Sequence, residues 1–136
     1  SGEVKNSYQL LDGDKHGEEW IYYADAKPKL MMNWYRGKIH GVTRSWYKNG
    51  QLGSEREMCN NRKQGTSLAW YFDGHPMLIE EYEEDRLMRG KYIKIGESEP
   101  VTKVIRGNGI ATLYDEDGVF LRKVEYRHGK AIGLEG

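Results

Sequence analysis

Four histidines and one cysteine are the chain's main candidates for nucleophilic or soft-metal chemistry, and two of the histidines share a setting. His16 and His40 stand 24 residues apart, each directly before a glycine, Gly17 and Gly41. A zinc site would draw both onto one ion, about 2.0–2.1 Å from each nitrogen. Equivalent residues of successive β-hairpins lie two strands apart, about 10 Å. The pair is therefore read as turn residues, as are His75, ahead of Pro76, and His128. Glu57, Glu81 and Glu125 recur in one slot, which Asn33 fills earlier in the chain. Carboxylates about 5–9.5 Å apart hydrolyse glycosides, and neighbouring slots fall near the upper edge of that window. With Arg56 and Lys123 beside them, a solvated ladder of charges is the plainer reading. Cys59 is matched at the equivalent positions by Tyr35, Glu83 and Arg127, so no aligned His or Asp activates it. Asp115-Glu116-Asp117-Gly118 begins like a calcium loop but lacks the closing glutamate; it and Asp12-Gly13-Asp14 are read as turns. Gly107-x-Gly109 opens no helix and so cradles no phosphate. The expectation is no catalytic residue, no metal and no cofactor.

What must position these residues is a spacing. Gly17, Gly41 and Gly65 are successive anchors at a 24-residue step, which Gly109 and Gly133 resume. Five residues past the first four anchors lie Tyr22, Trp46, Trp70 and Tyr114. Nine past three of them lie Gly50, Gly74 and Gly118, each behind Asn49, Asp73 or Asp117. A second turn signal precedes each anchor, at Gly13, Gly37, Asn61 and Gly129, and a longer variant runs from Asp85 to Gly90. Asn-Gly and Asp-Gly tolerate the positive φ of hairpin turns, so each repeat reads as one β-hairpin. The repeats are placed at about 13–36, 37–60, 61–84, an irregular 85–104, 105–128 and a truncated cap at 129–136, all in one domain. A two-residue turn at Asn49-Gly50 would set Tyr47 opposite Leu52 and Arg44 opposite Glu55. The same rule sets Leu68 opposite Ile79 and Trp70 opposite Met77. In the irregular repeat, Lys91 to Ile95 is expected to pair with Val101 to Ile105 across a loop containing Pro100. The first repeat has Ala26 where the others carry glycine.

Composition agrees with strands and turns: 17 Gly, 10 Tyr and 4 Trp against 2 Phe. The expected fold is all-β, an elongated, curled antiparallel sheet of stacked hairpins with little or no helix. The aromatic column Tyr22, Trp46, Trp70 and Tyr114 either fills the core of that curl or lines a partly open groove. Tyr23, Tyr47 and Tyr71 are expected on the opposite face. The 21 basic and 21 acidic residues are well mixed, which disfavours nucleic acid as a partner. No run approaches the roughly 20 apolar residues of a membrane helix. Ser1-Gly2 looks like a remnant of tag cleavage, so a native leader is not excluded.

The stretches GKIHGVTRSWYKNGQLGSEREM and DEDGVFLRKVEYRHGKAIG resemble the bacterial MORN-variant repeat. Its pattern is G-x3-G, an aromatic pair, N/D-G, then an apolar-aromatic strand ending in a turn. The resemblance covers about residues 13 to 133, and residues 89 to 133 also resemble the YwqK-family antitoxins. It implies a non-enzymatic scaffold for contacts with another protein, an antitoxin or immunity role being one case. A membrane- or lipid-surface scaffold is the alternative, which zero net charge and the lack of a polybasic cluster disfavour. A carbohydrate-active enzyme using the glutamate slot ranks third. Exposed edge strands allow a homodimer. The compartment is left open between bacterial cytoplasm and cell envelope. Specific contacts are expected from residues that do not repeat: His40, Arg44, Ser45, Gln51 and the irregular 90–108.

Overall fold

A computed structural model of the chain describes residues 5–135; Ser1-Gly2 lie outside them. The described residues form fifteen strands and no helix. The first seven strands are β1 (Lys5–Ser7), β2 (Leu10–Leu11), β3 (Asp14–Lys15), β4 (Gly17–Tyr22), β5 (Pro28–Tyr35), β6 (Lys38–Ile39) and β7 (Gly41–Trp46). Then come β8 (Leu52–Cys59), β9 (Arg62–Trp70), β10 (Pro76–Glu83) and β11 (Arg86–Tyr92). The last four are β12 (Thr102–Ile105), β13 (Asn108–Tyr114), β14 (Phe120–Arg127) and β15 (Lys130–Glu135). Thirteen of them make one antiparallel sheet that is not closed, in the order β1-β4-β5-β7-β8-β9-β10-β11-β12-β13-β14-β15 with β6 on β5. β2 and β3 pair separately.

Two kinds of turn build it. The tight two-residue turns are Asp12-Gly13, between β2 and β3, and those between repeats: Arg36-Gly37, Asn60-Asn61, Glu84-Asp85, Arg106-Gly107 and His128-Gly129. Both residues of each have positive φ, the type I′ geometry whose twist matches that of the strands. The Asn-Gly and Asp-Gly sites close longer turns. Tyr47 N–H donates to Gln51 O and Gly50 N–H to Tyr47 O, both at 2.9 Å. The segments at 23–27, 71–75 and 115–119 do the same.

The longer turn changes the register beside it. Arg44 faces Glu55 and Leu68 faces Ile79 as expected. Trp46 rather than Tyr47 faces Leu52, and Pro76 rather than Met77 faces Trp70, because a bulge next to each turn absorbs one residue. The irregular hairpin also differs from expectation. Lys91 and Tyr92 pair with Lys103 and Thr102, and pairing reaches back to Arg89, opposite Ile105. Beyond Tyr92 the chain leaves the ladder: Ile93 N–H donates to Met77 O instead. Ile95 packs so close to Gly118 that a Cβ there would lie 2.5 Å from it.

Paired residues share a face and alternate residues change it, so register assigns every side chain of the ladder. One face carries Leu78, Tyr82, Tyr92, Val104, Ala111 and Val124, and with Leu87 they form the hydrophobic cluster. This inner face is where the curl buries its core. Burial is uneven along the chain: Met31 is the one buried hydrophobic residue before Tyr71 among those described.

Candidate functional site

The outer face is traced by one row of directly paired residues across eight strands, β4 to β12. It runs Trp20, Met31, Arg44, Glu55, Leu68, Ile79, Lys91, Lys103. Tyr22, Trp46 and Trp70 lie two residues on from Trp20, Arg44 and Leu68 and so share this face. All are half-buried, and none belongs to the hydrophobic cluster. The column thus lies on the opposite face from that cluster: alternation turns it away from Ala69 and Leu78. The Trp20 and Trp46 indoles stack at 5.6 Å and 19° across the intervening β5. Met31, paired with Trp20 on one side and Arg44 on the other, is 2% exposed. The column does not run unbroken to Tyr114. That ring sits edge-on to Tyr71 and to Phe120, each at 6.3 Å, and β11 and β12 place Arg89, Lys91, Lys103 and Ile105 in between.

Tyr23, Tyr47 and Tyr71, each just past the end of its strand, are structural donors. The first two hydroxyls donate to Trp46 O and Trp70 O at 2.6 Å, and Tyr71 to Ile93 O at 2.5 Å. Each ties its segment to the next one. Burial, followed by Tyr114 and Asp115, pushes the Tyr71 phenol up to about 12, so it stays a donor. The recurrence of Tyr after the first three column aromatics was the signal for this ladder.

The histidines belong to a second ladder. His16 Nδ1 accepts from Arg36 N–H at 3.4 Å and His40 Nδ1 from Asn60 N–H at 3.3 Å. At the matching positions Gln64 accepts from Glu84 N–H and Asn108 from His128 N–H. The Tyr35 ring lies between the two imidazoles, 5.5 Å from His16 and 5.9 Å from His40, so the pair cannot share one ion. The glutamate slot caps bulges. Asn33 Nδ2 donates to Val42 O, and Glu57 Oε2 accepts from Thr66 N–H at the next equivalent site. Glu81 and Glu125 meet Arg89 and Arg127 instead. Asp115 Oδ1 is occupied by the N–H groups of Asp117 and Val119. Cys59 is a half-buried free thiol.

The repeat-turn glycines other than Gly133 adopt positive φ. Gly13, Gly37, Gly107 and Gly129 take the second place of the tight turns; Gly50, Gly74 and Gly118 close the longer ones; Gly17, Gly41, Gly65 and Gly109 adopt positive φ where the register steps. Gly133, expected to mark a turn, instead lies within β15 opposite Glu125, where the strand's extended backbone needs no positive φ.

Two polar groups escaped the sequence reading. Glu19 is 2% exposed on the inner face and is held by Lys15 Nζ, Asn6 Nδ2 and Trp34 Nε1. Burial raises its pKa, but those three donors and the Lys15 charge outweigh it and leave the carboxyl below its ordinary value. Glu80 accepts from Tyr92 at 2.6 Å and Tyr82 at 3.1 Å. Burial first and the Glu80 charge second push both phenols up. Neither glutamate repeats, so spacing gave no sign of them. No family model, curated protein or solved structure matches the chain.

Proposed function

We propose that the chain is a non-enzymatic scaffold of the bacterial MORN-variant type that binds another protein along the outer face of its sheet. An antitoxin or immunity role is one form this takes. The reading rests on one observation. Trp20, Tyr22, Trp46 and Trp70 stand half-exposed on the face that the hydrophobic cluster does not use. Trp and Tyr offer large contact area with a polar tip and concentrate binding energy at interfaces. The candidate chemical residues are otherwise engaged: the histidines hold turns, and the slot glutamates cap bulges or meet arginines.

Trp70→Ala is the cleanest test, because Trp70 stacks on no other aromatic ring among the described residues, whereas Trp46 stacks on Trp20. The variant is expected to keep its β-sheet circular dichroism and cooperative unfolding while losing a stoichiometric partner captured from the native cell. Retention of the partner, or unfolding of the chain, overturns the reading.

A further inference from the structure

The outer row changes character where the repeat does. Its first charged residues, Arg44 and Glu55, pair at 3.2 Å. Its last two, Lys91 and Lys103, face one another directly across β11 and β12. Like charges in that position repel, and neither lysine has a carboxylate within salt-bridge distance among the described residues. The neighbouring row on the same face runs Glu81, Arg89, Ile105. Ile79 is 40% exposed and Ile105 61%. Together these residues line a groove of about 300 Å³ over β10 to β12.

We propose that this groove binds an extended acidic segment of a partner protein, its carboxylates on Lys91 and Lys103 and its apolar side chains on Ile79 and Ile105. Charge complementarity selects the occupant. Within one row the sheet balances Arg44 with Glu55 yet leaves two opposed ammonium groups unbalanced, a cost that a bound carboxylate reverses. Apolar contacts beside the cations favour a protein segment over a bare polyanion. The proposal deepens the partner-binding reading and rests on it. It adds which part of the face selects the partner: the irregular hairpin, where the aromatic column is interrupted.

The test uses the full chain, labelled with ¹⁵N, and an eight-residue peptide alternating Glu and Leu. Addition at low salt is expected to shift the amides of Ile79, Lys91, Lys103 and Ile105, and added salt is expected to reverse the shifts. Lys91→Glu with Lys103→Glu should weaken binding by about tenfold or more, the scale of a lost charge-assisted contact. Because those positions are exposed strand residues, the double variant is expected to fold, and its spectrum reports whether it does. The Lys103→Gln single variant, which removes charge without reversing it, gives an intermediate loss. A Lys-Leu peptide of the same length should not bind. The proposal is overturned if the Glu-Leu peptide leaves these amides unmoved or the Lys-Leu peptide shifts them equally. Stronger binding to phosphatidylserine vesicles or to single-stranded RNA than to the peptide also overturns it. If the native partner is lost in Trp70→Ala but retained by the double-lysine variant, this proposal fails while the scaffold reading stands.

Discussion

At the scale of the residue, this chain uses side chains to hold backbone. His40 shows it best: its Nδ1 accepts the N–H that opens the next tight turn, a task Gln64 performs at the following equivalent position at 2.8 Å. His40→Gln should therefore be nearly neutral. His40→Ala should cost about 1 kcal/mol, the usual net value of such a bond, measured as a shift in urea midpoint. Equal loss in both variants would mean that the tilted ring contact with Tyr35, and not acceptance, is the residue's role. Glu19 gives a pH signature. Its folded pKa lies below the unfolded value, so its contribution is present above the ordinary carboxylate range and is lost as pH falls through the folded pKa. Glu19→Gln should remove that part of the acid-side decline in melting temperature. An unchanged acid profile in the variant would place the pH dependence elsewhere. The sequence made His16 and His40 visible through their spacing and argued against a shared metal from sheet geometry alone. It could not reveal Glu19 or Glu80, since a single buried carboxylate carries no periodicity and its partners lie on other strands.

At the scale of the element, glycine spacing made the hairpins legible, while the bulges did not announce themselves. A bulge adds one residue without changing residue type, so Arg44–Glu55 was predictable and the pairs beside the turns were not. Ala26 is the informative departure. It holds φ of 70° where Gly50, Gly74 and Gly118 hold about the same turn. The left-handed conformation costs a Cβ-bearing residue roughly 1–2 kcal/mol, offset in part by the greater freedom glycine gives the unfolded chain. Ala26→Gly should stabilise the first hairpin by roughly 0.5–1 kcal/mol on those figures, read as slower amide exchange in β4 and β5. Faster exchange there would show that the strain is relieved some other way. The tyrosine ladder acts between elements. Tyr47→Phe keeps the ring against Gly53, whose Cβ position lies 3.1 Å from it, and removes only the bond to Trp70 O. A loss of about 0.5–1.5 kcal/mol is expected, with increased exchange at the 71–75 turn; no change in either would reduce the hydroxyl to a bystander.

At the scale of the whole molecule, the sheet is open and its core is lopsided. Stacked segments stabilise one another mainly through neighbours, so stability should follow the distribution of buried contacts and need not be uniform. Leu87, Tyr92, Val104, Ala111 and Val124 all come from β11 to β14, whereas Met31 stands alone in the earlier strands. The inner face of the earlier strands mixes half-buried apolar side chains, Ile21, Leu30, Met32 and Trp34, with polar ones: Ser45 and Ser54 hydroxyls lie 2.5 Å apart and Thr43 Oγ1 is buried without a partner. That asymmetry could not be read from a spacing that treats the segments as equivalent. It predicts an order of opening. Native-state hydrogen exchange should find the slowest amides in β9 to β14, and β4, β5 and β7 should open at lower free energy without disturbing them. Leu87→Ala, at a position with no exposure, should cost about 2–5 kcal/mol and lower protection throughout the sheet, because the cluster it belongs to holds most of the buried hydrophobic residues. Met31→Ala should lower protection only in β4, β5 and β7. If the two variants instead reduce protection everywhere alike, the sheet unfolds as a single unit and the uneven core has no thermodynamic consequence.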